Sequence, residues 1–160
     1  MVEDSTRDYF AEWAPDGPQV STEVADVDYL DAVQPELFLG GWIAVYQQGN
    51  IATDVEFAFV GAQVLVFADD ETAGLAFHNP DADVAGAEEL PDVRQIGDET
   101  SGVRYGDELQ ELILSFRAGS TRVVLNWNAT PAFANEQDFG LMEDIASGLC
   151  GAIAASSDDT

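Results

Sequence analysis

The sequence predicts an α+β domain: an antiparallel β-sheet of about five or six strands, with a long C-terminal helix and shorter helices packed mainly on one face. Three observations lead there. Val- and Phe-rich runs follow one another with few helical segments between them, which favours antiparallel neighbours over parallel crossovers. The stretch "LILSFRAGSTRVVLNW", Leu112 to Trp127, doubles back about one tight turn. The stretch "NEQDFGLMEDIASGLCGAIAAS" repeats its apolar residues at helical spacing.

In chain order, Ser5 or Thr6 can cap a short helix with Phe10 and Trp13 on its inner face, and "APDGP" stops it. Val24 to Tyr29 reads as a weak strand and Leu30 to Phe38 as a helical turn or two. "GWIAVYQQG" is a strand with Trp42, Ala44 and Tyr46 on one face. Val55 to Asp69 is strongly β, with Gly61 marking a bulge or a hairpin turn. "DDETAGLAFHNP" has acids at its start and Asn79-Pro80 at its stop, the marks of a short helix. Asp81 to Asp92 is a polar connection, and "VRQIGDETSGVRYG" offers two short strands around a Gly97–Gly102 bend.

The hairpin can be registered from its faces. Leu112, Leu114 and Phe116 alternate on one strand and Val123, Leu125 and Trp127 on the other. They share a face when Phe116 opposes Val123, which sets Arg117 against Arg122 and leaves Gly119-Ser120 as a two-residue loop. In the last helix Asn135 is the cap, and Phe139, Met142, Ile145, Ala146, Leu149 and Ile153 form one stripe. Residues 1–156 make one domain, and 157–160 a disordered acidic tail.

Charge is the dominant compositional feature. The chain of 160 residues carries 31 Asp plus Glu against five Arg and no Lys, a net charge of −26. Its hydrophobic content of 46% is nevertheless enough for a core. Such self-repulsion is relieved where molar salt shortens the Debye length to about 3 Å, so adaptation to high salt explains the composition. Nucleic acid and anionic membranes are repelled. A mimic of DNA would gather its acids on one face, whereas here they run along the whole chain. No apolar run approaches the ~20 residues of a membrane helix. The first residues, "MVEDSTRDYF", have no basic segment followed by an apolar one, so no signal peptide is expected in them.

Catalytic and cofactor signatures are missing. His78 is the single histidine and Cys150 the single cysteine. Neither a zinc set nor a nucleophile triad can be completed, and His78 at a helix end reads as a cap or packing residue. Cys150 reads as a small buried hydrophobe. No Gly-rich phosphate loop occurs. Asp81, Asp83, Gly86, Glu89 and Asp92 echo a calcium loop at positions one, three, six, nine and twelve. Ala85 and Glu88 break that pattern, and Asp92 is short for a bidentate ligand, so a solvated acidic loop is the simpler reading. The opposed Arg117 and Arg122 are a candidate anion site for carboxylate, phosphate or sulfate. The simpler alternative has neighbouring carboxylates neutralise both.

"PELFLGGWIAVYQQG", "VFADDETAGLAF", "IGDETSGVRYG", the hairpin and the last helix together resemble the extracytoplasmic α+β domains of small predicted lipoproteins from halophiles and high-GC bacteria. The resemblance spans roughly residues 30 to 155 and rests on packing and turn motifs. It implies a non-enzymatic domain outside the cytoplasm and carries over no catalytic residue. The lipid-attachment cysteine of such proteins is missing from this sequence. The expected function is therefore a salt-adapted binding or scaffold domain, lipoprotein-like, with no cofactor and with a protein partner or self-association. The alternative is a small enzyme or small-molecule carrier with a pocket between sheet and helices, lined by Trp42, Tyr46 and Trp127.

Overall fold

The structure is a computed structural model describing residues 20–27, 30–48, 58–78, 87–105, 110–129 and 138–158. Among these, seven strands form one sheet: β1 (Val20–Val24), β2 (Phe38–Gln48), β3 (Ala58–Phe67), β4 (Glu88–Glu89), β5 (Glu99–Tyr105), β6 (Gln110–Ala118) and β7 (Thr121–Ala129). Two α-helices accompany them, α1 (Asp70–His78) and α2 (Asp138–Asp158), with a short 3-10 turn at Pro35–Leu37. The strand order is β1-β2-β3-β7-β6-β5-β4, and every pair is antiparallel. After β3 the chain passes through α1 to the far edge, then returns strand by strand until β7 closes against β3.

Alternation sorts the two faces. Trp42, Ala44 and Tyr46 of β2, Val60, Ala62 and Val64 of β3, Leu112, Leu114 and Phe116 of β6, and Val123, Leu125 and Trp127 of β7 are buried on one face. The stripe Met142, Ile145, Ala146, Leu149 and Ile153 of α2 closes over them, with Phe139 partly buried at its end. The hairpin register is the one the faces demand: Leu112 pairs with Trp127, Phe116 with Val123 and Arg117 with Arg122. Gly119, at φ 55, takes the first turn position while Ser120 stays at negative φ, the sign pattern of a type II′ turn.

The opposite face has its own core, which corrects the expectation that the helices pack mainly on one side. Leu65 and Phe67 of β3 point away from α2 and are buried with Ala73 and Ala76 of α1 and with Val27, Leu30 and Val33. The three-residue spacing of that last trio explains why residues 25–27, part of the expected strand from Val24 to Tyr29, are not in a strand. The chain turns twice, with Leu30 N–H donating to the Val27 carbonyl and Val33 N–H to the Leu30 carbonyl. The strand lies instead at Val20–Val24, and residues 28–29 are outside the described set.

Other differences have local causes. The sheet has seven strands rather than five or six, because two edge pieces pair that carry little apolar signal, β1 and the two-residue β4. The acids of β4, Glu88 and Glu89, also discourage pairing with another chain. β3 runs through Gly61 with unbroken register, and the irregularity falls between Phe38 and Gly40 of β2. Val93 to Tyr105 holds one strand, not two, and Gly102 lies inside it. A Cβ at Gly102 would meet Phe139 Cζ at 2.8 Å and Val93 Cγ2 at 3.0 Å, so this glycine makes room for the start of α2. α2 continues through Ser157 and Asp158, two residues into the expected tail, since no proline interrupts it. The expected first helix (Ser5, Thr6, Phe10, Trp13) and the cap Asn135 lie outside the described residues. No described helix is long and apolar enough to cross a membrane.

Candidate functional site

The two arginines of the hairpin lie in one ladder row, Glu99–Arg117–Arg122–Leu65, that crosses four strands from the charged margin into the second core. Their surroundings differ. Arg117 Nε donates to Glu99 Oε2 at 2.7 Å, and its Nη1 donates to the Gly119 carbonyl at 3.0 Å and to Asp98 Oδ2 at 3.3 Å. Asp98 Oδ2 also accepts the Gly119 N–H at 2.8 Å. Glu99 Oε1 meets His78 Nε2 at 2.5 Å. A continuous chain of charge-assisted contacts thus ties the last turn of α1 to β5 and to the hairpin tip. His78, expected as a cap or packing residue, is mostly exposed and serves as one end of this strut.

Arg122 stands on the face opposite Leu112, Leu114 and Phe116, as the hairpin register requires, yet it is only 5% exposed. The cause is α1, which covers this end of the face that alternation alone would leave to solvent. An anion at Arg117 would have to compete with Glu99 and Asp98, which already engage that guanidinium.

Electrostatics follow the same contacts. The hydrogen bond from Arg117, reinforced by His78, holds the Glu99 carboxyl below the usual carboxylate range despite partial desolvation. Glu99, with Asp98 and Asp70 nearby, raises Arg117. Gly97 enters the left-handed region at φ 64, where a Cβ would collide with the Arg117 carbonyl oxygen. That conformation lets Asp98 N–H donate to the Arg117 carbonyl at 2.8 Å and aims the Asp98 side chain at the hairpin tip.

Beside this strut is a cavity of about 510 Å³ at the end of the sheet, between the first turn of α1, the hairpin tip and the 150–154 turn of α2. Its polar rim includes Asp70, Asp98 and Thr121, and its apolar side includes Cys150 and Ile153. Cys150 is half-buried, and burial pushes its thiol above the ordinary value. Trp42, Tyr46 and Trp127, expected to line a pocket between sheet and helices, are core residues instead. Those rings are buried under α2 and fill the first core.

The calcium-like loop is only partly described. Asp81 and Asp83 lie outside the described residues, and Asp92 is exposed in a tight turn at φ 58. Among the described residues no three His, Cys, Asp or Glu side chains form a group that could hold a metal ion. Sequence reasoning missed Asp70, Asp98 and Thr121, which come together only through tertiary contacts. One signal was readable: "ADDET" offers two acids where one helix cap suffices. Asp69 takes that role, its Oδ1 accepting Thr72 N–H at 2.7 Å, and this bond lowers its pKa.

No protein-family model and no curated protein matches the chain. Among solved structures, the extracellular domain of PknH from Mycobacterium tuberculosis is similar to it at 12% identity, covering 86% of this chain and 79% of that one with a TM-score of 0.48.

Proposed function

We propose that this is a salt-adapted, non-enzymatic binding or scaffold domain, displayed outside the cytoplasm and meeting a protein partner or a second copy of itself. The observation that carries the reading is the charge of −26 without a single lysine. Its distribution supports the reading. No Asp or Glu among the described residues is buried, and the exposed ones sit on every side of the fold: Glu23 on β1, Asp31 and Glu36 before β2, Glu71 on α1, Glu88 and Glu89 on β4, Asp144 on α2. A single-faced acidic mimic would not be built this way. Hydrated carboxylates all round suit a protein whose repulsion is screened by its solvent. The extracytoplasmic assignment rests on the sequence resemblance, and a signal with a lipid-attachment motif encoded upstream would support it.

The test is thermal unfolding against salt. The melting temperature rises steadily as KCl goes from tens of millimolar to molar. A variant with Glu23, Glu88 and Glu89 changed to Gln shows a shallower rise. A melting temperature that stays flat across that range, or a variant with undiminished salt dependence, would overturn the reading.

A further inference from the structure

We propose that the cavity beside the hairpin tip binds a small alkylammonium ion. The inference deepens the binding half of the proposed function and is independent of its salt half. The volume of about 510 Å³ lies within the range of small-molecule sites and is far too large for one bare ion. Charge selects the sign of the ligand. Asp70 and Asp98 face the cavity and Glu99 stands behind them. Against these stand one guanidinium, already engaged by Glu99, Asp98 and the Gly119 carbonyl, the His78 ring held on the far side of Glu99, and roughly half a positive charge from the N-terminus of α1. The balance is negative, so a cation is favoured over an anion.

The donors and acceptors narrow the class. Asp69 caps α1, so the Asp70 carboxylate is not needed there. Asp70 makes no hydrogen bond among the described residues, and a Cβ at Gly119 would stand 3.7 Å from its Oδ1, which places it over the hairpin tip. Thr121 is 5% exposed and lies on the face of β7 that alternates with Val123, toward α2. Thr121 lines the cavity, and its side chain makes no hydrogen bond among the described residues, so its hydroxyl is free to take a ligand. An ammonium group has three N–H donors, matching Asp70, Asp98 and Thr121. The opposite wall, with Cys150 and Ile153, has no charge and suits an aliphatic stem.

The experiment is a titration of the whole protein with n-butylammonium chloride in 1 M KCl, where the Debye length of about 3 Å suppresses the diffuse cation cloud. Amide NMR shifts are the readout. The expected result is saturable binding with shifts concentrated at Gly97, Gly119 and Thr121, and no such response to butyrate or 1-butanol. Asp70→Asn weakens binding roughly tenfold and Thr121→Val several-fold, as loss of a charged and of a neutral hydrogen bond would. Ala154→Phe, on the exposed surface of α2 at the cavity, blocks it. Equal binding of 1-butanol, shifts scattered over surface carboxylates, or unchanged affinity in Asp70→Asn would overturn the proposal. Tighter binding of a blocked lysine would support the site and assign it to a lysine side chain of a partner protein. Failure of the amine to bind, with the salt dependence of melting intact, would sink this inference alone.

Discussion

The two faces of one sheet are built on different physics. Under α2, the buried set is apolar side chains from four strands, locked by a helix that presents a continuous stripe. Under α1 the buried set is smaller, seven residues, and three of them come from turns rather than regular elements. The margin of that second face is held by the His78–Glu99–Arg117–Asp98 strut. The lesson concerns length. A stripe running along a 21-residue helix closes one face by burial alone. A nine-residue helix covers only one end of the other face, and polar contacts at its last turn complete the docking.

Two leucines compare the faces directly, since Leu149 and Leu30 are each 1% exposed. Truncation of buried leucine costs about 2–5 kcal/mol, depending on how far the site can collapse. Leu149→Ala falls in the upper half of that range, because helix and sheet cannot close the void. Leu30→Ala falls near 2 kcal/mol, because its turn can move inward. Denaturant unfolding ranks them, and a larger loss for Leu30→Ala would break the comparison.

A middle-sized effect sharpens the account of the first face. Gly102→Ala should cost about 1–3 kcal/mol by overpacking against Phe139 and Val93. Combined with Phe139→Ala the added cost should shrink, which a double-mutant cycle measures. Strict additivity would show that the glycine is not there for the helix.

The smallest effect tests the strut. Glu99 titrates lower folded than unfolded, so its contribution is present above the ordinary carboxylate range and is lost as pH falls through the depressed folded value. Arg117→Gln should bring the Glu99 carboxyl, followed by NMR, back toward that range, with a stability loss of at most about 1 kcal/mol for this partly exposed pair. A Glu99 titration unmoved by the substitution would remove Arg117 as its cause.

Much of the first face was readable residue by residue. The period-two pattern of Leu112 to Phe116 and Val123 to Trp127, with Gly-Ser between, admits one register, and the structure adopts it. The stripe from Met142 to Ile153 was equally plain. The second face was harder to read because its signals are ambiguous over short lengths. Val27, Leu30 and Val33 fit a strand or a turn until Leu65 supplies the surface they cover. Gly102 looked like a bend because a glycine that makes room for a distant ring has no local signature.

The amino-acid sequence by itself determined the hairpin register, the apolar face of the C-terminal helix, the α+β class and the net charge of −26. Each depends on spacing within one segment or on composition. Tertiary structure alone decided that α1 and α2 take opposite faces and that Arg122 is buried while Arg117 is braced. It also decided that Asp70, Asp98 and Thr121 meet around one cavity. The physical reason is that these outcomes depend on which surface is already occupied when a segment docks. A carboxylate or arginine carries no record of that surface in its own neighbours along the chain.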